Sequence, residues 1–248
     1  MGYLNLRSPT TFICPRCTRK LAWNKQGQWG GGDFGFLFCS SHRFPLVWGI
    51  PIVLDQPPVP FLLLLVEQGR FSESLELALA SSVPKEIGDF DRRRKWARGI
   101  FPLERASFEK AMTPFPKSWR SFFQGRFRDP SFKRLCALAR EMTKKKKGVL
   151  LDLGCGTAPL AYALNGRRSQ VEIISLDINF YLLYFARRFF RTNSLYVCAD
   201  VRQRLPFSSQ SSGAIVCSGV SQAIQDQAHF LAECRRLLDP SGVLCWQP

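Results

Sequence analysis

Cys14-Pro15-Arg16-Cys17 and Cys39-Ser40-Ser41-His42 are two short pairs of soft ligands near the N-terminus. Each pair can turn two donors toward one tetrahedral ion, and three thiolates with one imidazole fill the coordination of zinc. No position is left for water or substrate, so the expected role is structural, the ion standing in for a core that so short a module cannot build. The competing reading of Cys14, Cys17, Cys39 and His42 is a set of unrelated thiols and a surface histidine.

The second group is Val149-Leu150-Leu151-Asp152-Leu153-Gly154-Cys155-Gly156-Thr157, an apolar strand running into a glycine loop, with Pro159 placed to open a helix. Glycine is needed where the backbone turns sharply and a ligand must approach closely. Pro159 stands where a dinucleotide loop needs its third glycine, and the lysine and hydroxyl residue of a phosphate loop are missing, so both of those sites are excluded. About 20 residues further on, Ile174-Ser175-Leu176-Asp177 ends the next strand, and an acid there can accept hydrogen bonds from ribose hydroxyls.

This strand and loop resemble the first motif of class I S-adenosylmethionine-dependent methyltransferases, Asp-x-Gly-x-Gly, at Asp152, Gly154 and Gly156; Ala158 stands where a further glycine is common. Cys198-Ala199-Asp200-Val201, followed by Leu205-Pro206-Phe207, resembles the family's adenine-contacting turn. The resemblance implies cofactor contacts from Asp152, Gly154, Cys155, Gly156, Asp177, Ile178, Asp200 and Val201, with Asp200 toward the exocyclic amine and the Val201 N–H lent to the ring. It covers about residues 147–248, including Phe230 to Leu244 as the late helix, turn and fifth strand. The chain departs from the family at Ser212-Gly213, where Phe-Asp is common, and it ends after the fifth strand. An open sheet edge is therefore expected, with a protein partner as one way of covering it.

Phe44 to Leu54 resembles the strand that closes zinc ribbons fused to methyltransferases, and ribbon, linker and methyltransferase follow one another in ribosomal-RNA guanine-N1 methyltransferases. That resemblance implies transfer of a methyl group to an RNA base. Two alternatives stand beside it: a small-molecule methyltransferase of the quinone type, which the Leu-Pro-Phe turn also resembles, and a non-catalytic zinc-ribbon adaptor. Transfer from a sulfonium depends mainly on alignment, so no catalytic base is assigned, and Asp226 and His229 are expected to be helix-surface residues.

The elements that must position these groups can be read from apolar periodicity. Residues 1–56 read as a small β-rich module with a turn at Gly30-Gly31-Gly32-Asp33. Pro57, Pro58 and Pro60 predict a break that excludes helix and central strand. Residues 57–146 read as a basic helical lead-in, helical over Phe61 to Ala80, Phe108 to Met112 and Ser131 to Met142. From 147 to 248 strands and helices alternate, which predicts a mostly parallel Rossmann-like α/β sheet whose last strands are missing. Asp239 to Gly242 has the composition of a turn.

With 46% hydrophobic and 22% charged residues, the 248-residue chain has the make-up of a folded protein of one α/β domain plus a smaller module. The apolar runs Phe61 to Val66 and Phe180 to Ala186 fall short of the roughly 18–20 residues of a membrane span, and residues 1–11 lack a secretory apolar run, so a cytoplasmic location is expected. An odd nine cysteines favour reduced thiols, with Cys136, Cys198, Cys217, Cys234 and Cys245 in the core. A net charge of +16 would attract phosphate, which suits RNA, although runs such as Arg92 to Lys95 and Lys144 to Lys147 are also ordinary solvated faces.

Overall fold

A computed structural model describes residues 11–55, 57–83, 88–100, 117, 120–121, 125–144, 148–164, 172–190, 192 and 194–247. The expected strands form one sheet. Strands β1 (Ala22–Trp29), β2 (Gly32–Phe38), β3 (Arg43–Val47) and β4 (Ile50–Val53) come from the N-terminal part. They are followed by β5 (Val149–Leu153), β6 (Glu172–Asp177), β7 (Leu195–Ala199), β8 (Ser212–Ser218) and β9 (Leu238–Gln247). The order is β1-β2-β3-β4-β7-β6-β5-β8-β9. The first four strands form an antiparallel meander, and β4 pairs in parallel with β7, Ile52 opposite Cys198 and Val53 opposite Ala199. From there to β9 every pairing is parallel.

Alternation at period two sends neighbouring side chains to opposite faces. Phe34, Phe36, Ile50, Ile52, Leu150, Tyr196, Cys198 and Val216 enter one core. Leu37, Phe44, Leu46, Val53, Leu151, Val197, Ala199 and Ile215 enter the other. Both cores run beneath the antiparallel and the parallel strands, so the N-terminal strands and the Rossmann-like strands bury their apolar surface together.

Helices α1 (Val59–Glu67), α2 (Phe71–Ser82), α3 (Phe90–Ile100), α4 (Pro130–Lys144), α5 (Pro159–Leu164) and α6 (Phe180–Phe185) serve the first face through Leu62, Val66, Leu75, Leu79, Ala97, Phe132, Leu135, Leu160 and Phe185. Helix α7 (Gln227–Leu237) covers the second with Phe230, Cys234 and Leu237, beside Phe12 and Leu21. Among the described residues no helix is long and apolar enough to cross a membrane.

Three local expectations change. Pro60 lies in the first turn of α1 rather than excluding a helix, because an N–H at that position has no intrahelical acceptor to lose. The apolar run from Phe61 to Ala80 divides into α1 and α2 around Gly69, whose φ is +70°. In the alternating C-terminal part, the helix that follows β6 is not uniform: α6 widens after Phe185 into a π turn over Ala186–Phe190. The Phe108 to Met112 stretch and Lys145 to Lys147 lie outside the described residues. The Asp239 to Gly242 turn bulges from the start of β9: the pairing jumps from Ser212 opposite Leu238 to Ala214 opposite Val243, and the Asp239 carboxylate accepts the Ser241 N–H at 2.8 Å.

Cys136, Cys198, Cys217 and Cys234 are buried, Cys245 is half-buried, and all are free thiols. The run at Arg92 to Lys95 lies on α3, where Arg94 and Arg98 both pair with the buried Glu76 of α2, so part of it is structural. Ser212 is buried and donates to the Val149 carbonyl at 3.0 Å, tying β8 to β5 at the Ser212-Gly213 pair, where Phe-Asp is common in the family the sequence resembles.

A shared core predicts one unfolding event. Leu46→Ala, which opens a cavity at a fully buried position in β3, should cost on the order of 2–5 kcal/mol. It should lower the urea midpoints of tryptophan fluorescence and far-UV circular dichroism together; separate transitions for the two signals would contradict a continuous core.

Candidate cofactor and metal sites

The glycine loop leaves the carboxyl end of β5 and is held to the next strand at two points. The Cys155 N–H donates to the Leu176 carbonyl at 2.8 Å, and the Gly156 N–H donates to Asp177 Oδ2 at 2.8 Å. Gly154 and Gly156 have φ of +71° and +56°, in the left-handed region that favours glycine. A Cβ at Gly154 would also run into Val220. Ala158 takes the same kind of conformation, φ +53°, at the position where the family often has glycine.

Asp177 is the end of β6 and is nearly enclosed. Its Oδ1 accepts the Asn179 N–H at 2.8 Å, and Asn179 in turn caps α6 by accepting the Leu182 N–H at 3.2 Å. Burial raises the Asp177 pKa above the ordinary carboxylate range, against the opposing effect of the N–H groups of Asn179, Gly156 and Ile178. Ile178 is exposed beside it, and its carbonyl accepts a contact from the Cys198 thiol.

Asp152, on β5, is buried, and its Oδ2 has no hydrogen-bond partner among the described residues. Burial and then the neighbouring Asp177 push its carboxyl up to about 7, with Arg126 pulling the other way. Arg126 comes from a 3-10 turn, Arg126–Arg128, just before α4. It donates to Ser218 Oγ at 2.6 Å at the end of β8 and lies over the Phe132 ring. In the sequence Arg126 is one more basic residue of the lead-in; the only local signal near it is Asp129-Pro130-Ser131, which suits a helix start three to five residues on.

Asp200 follows β7. Burial would raise its pKa, but the Arg202 guanidinium bound to both oxygens, at 2.9 and 2.8 Å, holds it below the usual value. Val201 beside it is half-buried. The structure therefore brings Asp152, Gly154, Cys155, Gly156, Asp177 and Ile178 to one end of β5 and β6, with Asp200 and Val201 at the same end of the adjacent β7. This is the carboxyl edge where open α/β sheets bind ligands. Asp226 and His229 are exposed: Asp226 caps α7 by accepting the His229 N–H at 2.9 Å, and neither is held by the loop.

At the N-terminal end, the ligand atoms of Cys14, Cys17, Cys39 and His42 lie within 4.8 Å of one another. Cys14 Sγ is 3.4 Å from His42 Nδ1, Cys17 Sγ is 3.6 Å from Cys39 Sγ, and Cys39 Sγ is 3.8 Å from His42 Nδ1. A tetrahedral zinc with ordinary bond lengths requires edges of about 3.8 Å between sulfurs and about 3.5 Å from sulfur to nitrogen. Burial raises the Cys14 thiol; at Cys39 burial is also the largest single effect, but the Ser41 N–H, His42 and the Cys17 thiol together outweigh it and bring Cys39 down to about 6.

Residues 151–246, which span this loop and the strands around it, match the family model described as a methyltransferase domain. The match covers less than half of the chain, and the strands it spans form the mostly parallel part of the sheet. Over 148 residues the chain is 29% identical to a malonyl-[acyl-carrier protein] O-methyltransferase of Methylovorus sp. (strain MP688), covering 56% of this chain and 47% of that protein. It is 30% identical over 112 residues to a demethylmenaquinone methyltransferase of Thermotoga maritima, covering 45% and 47%. The chain thus spans about half the length of the curated relatives it matches. A crystal structure of a SAM-dependent methyltransferase from Aquifex aeolicus aligns with a TM-score of 0.40 and 18% identity over 48% of this chain and 66% of that one.

The raised Asp152 predicts a pH dependence of stability. Asp152 holds its proton more tightly folded than unfolded, so its contribution to stability is full below pH 3.8 and is lost as pH rises to about 7. Asp152→Asn should flatten that decline and, without ligand, raise stability at pH 8 by on the order of a few kcal/mol. Urea midpoints of both proteins from pH 4 to 8 check this, and parallel curves would contradict it.

Proposed function

We propose that this chain is an S-adenosylmethionine-dependent methyltransferase acting on a small organic acceptor, with a structural zinc ion at Cys14, Cys17, Cys39 and His42. The observation that carries the cofactor assignment is the pair of buried carboxylates beside the glycine loop: Asp152 with an unpartnered oxygen and Asp177 at the end of β6. Two buried acids favour a cationic ligand, and an unpartnered buried acceptor favours one that brings donors. S-adenosylmethionine has both, and when bound it supplies a methyl group on a sulfonium centre.

The chain's own residues then divide the work. Asp177 fixes the Gly156 N–H and retains acceptor capacity for ribose hydroxyls, since each carboxylate oxygen can accept more than one hydrogen bond. Asp152 offers its free oxygen to the amino-acid end of the cofactor, and Arg126, close enough to shift Asp152, offers a cation for the opposing carboxylate. For Asp200 to reach an adenine amine it must share or exchange its hold on Arg202.

The small acceptor is supported by the relatives' names, one a malonyl-[acyl-carrier protein] O-methyltransferase and one a demethylmenaquinone methyltransferase. An RNA base is the second reading, favoured by the net charge of +16 and by Arg16, Arg19 and Lys20 on the ribbon.

Calorimetric titration with S-adenosylhomocysteine tests the cofactor assignment. Wild type should bind, and Asp177→Ala should lose about tenfold or more in affinity, the scale of one or two hydrogen bonds to a charged group; no heat from wild type would overturn it. Methyl transfer to a small acceptor should change little between low and moderate salt, whereas a phosphate-bound RNA acceptor would lose rate steeply. For the metal, dialysed protein should retain zinc in a 1:1 ratio by elemental analysis, and Cys17→Ser should lose it.

A further inference from the structure

The turn from Asp200 to Phe207 is gripped at both ends by the N-terminal ribbon. Upstream, the β4–β7 ladder ends with Val53 opposite Ala199, the residue before Asp200. Downstream, the Ile13 N–H donates to the Pro206 carbonyl and the Ser208 N–H to the Thr11 carbonyl, both at 3.1 Å. The buried rings of Phe12 and Phe207 pack 5.2 Å apart at the same place. From the third side, Glu233 of α7 accepts the Leu205 N–H at 2.7 Å, and Arg236, paired with Glu233, donates to the Phe207 carbonyl at 2.8 Å.

The two ribbon arms that reach this turn come from different parts of the chain. The first, Thr11 to Ile13, runs directly into Cys14 and then Cys17. The second, β3 and β4, begins next to Cys39 and His42. The four-ligand cluster is where the arms meet, and Cys14 is the residue after Ile13, which donates to the turn. A second link between the arms is the Arg16–Asp55 ion pair, but both side chains are largely exposed and such a pair holds little. An ion in the cluster would therefore join the arms firmly one residue from the turn.

We infer that metal binding at Cys14, Cys17, Cys39 and His42 is thermodynamically coupled to cofactor binding at the Asp200–Phe207 turn, with Phe12 and Ile13 as the positioning residues that carry the coupling. The inference rests on the proposed cofactor and zinc sites. A metal that only held the ribbon's own fold would leave cofactor affinity untouched. A metal that fixes both ends of the turn holds its contact residues in place before the cofactor arrives, and the cofactor must tighten the metal by the same factor.

Two titrations on the full chain test it. S-adenosylhomocysteine affinity is measured by calorimetry on zinc-loaded protein, on protein stripped with a chelator, and after zinc is restored. Zinc affinity is measured by competition with a chromophoric chelator, with and without saturating S-adenosylhomocysteine. The expected result is a loss of about tenfold in S-adenosylhomocysteine affinity on stripping, recovered on reloading, and an equal gain in zinc affinity when it is present. Equal affinity with and without zinc, or no zinc uptake, would overturn the coupling while leaving the cofactor site standing; no binding by the zinc-loaded chain would overturn both.

Because stripped protein can unfold, Phe12→Ala is measured in parallel. It keeps all four ligands and should take up zinc in full, yet bind S-adenosylhomocysteine about tenfold more weakly. Wild-type affinity in that zinc-loaded variant would overturn the coupling on its own.

Discussion

The parallel pairing of β4 with β7 is the contact on which the rest of the molecule depends. Without it the antiparallel strands would end in an exposed row of N–H and C=O groups, and so would the parallel sheet. With it, two edges disappear and two apolar faces become continuous. Helices α1 and α2 then have a surface to cover, and the first ribbon segment comes to lie against the turn after β7. The N-terminal strands are thus part of the wall of the candidate crevice and also carry the Cys14, Cys17, Cys39 and His42 cluster.

At the centre of that crevice the chain keeps two carboxylates where burial penalises their charge. Asp177 offsets the penalty by accepting two backbone N–H groups, which shape the glycine loop and start α6. Asp152 has no such compensation at Oδ2 among the described residues. Its buried oxygen, beside a loop shaped by left-handed glycines, is the feature on which the proposal of a cationic ligand rests.

The loop, the acid ending β6 and the alternation of later strands and helices were all legible, because each is a local pattern: an apolar run, a glycine pair, an acid at a fixed distance. The gathering of Cys14, Cys17, Cys39 and His42 into one cluster was legible for the same reason. What was not legible depends on contacts between distant segments. Nothing in Ile50–Val53 announces that β7 will be its neighbour, and nothing near Arg126 announces that its side chain reaches Ser218. Pro60 misled because proline both ends helices and starts them, and only the geometry of the first turn distinguishes the two. The division at Gly69 was hidden because leucines continue at helical spacing on both sides of it.

The central claim is that the carboxyl ends of β5, β6 and β7 form one adenosyl-binding crevice. Hydrogen–deuterium exchange with and without S-adenosylhomocysteine tests it most directly. The account predicts that the ligand slows exchange at three separate segments together: the Gly154 to Gly156 loop, Asp177 to Asn179 and the turn from Asp200. Protection confined to other parts of the chain, or no change in these three segments under saturating ligand, would contradict it.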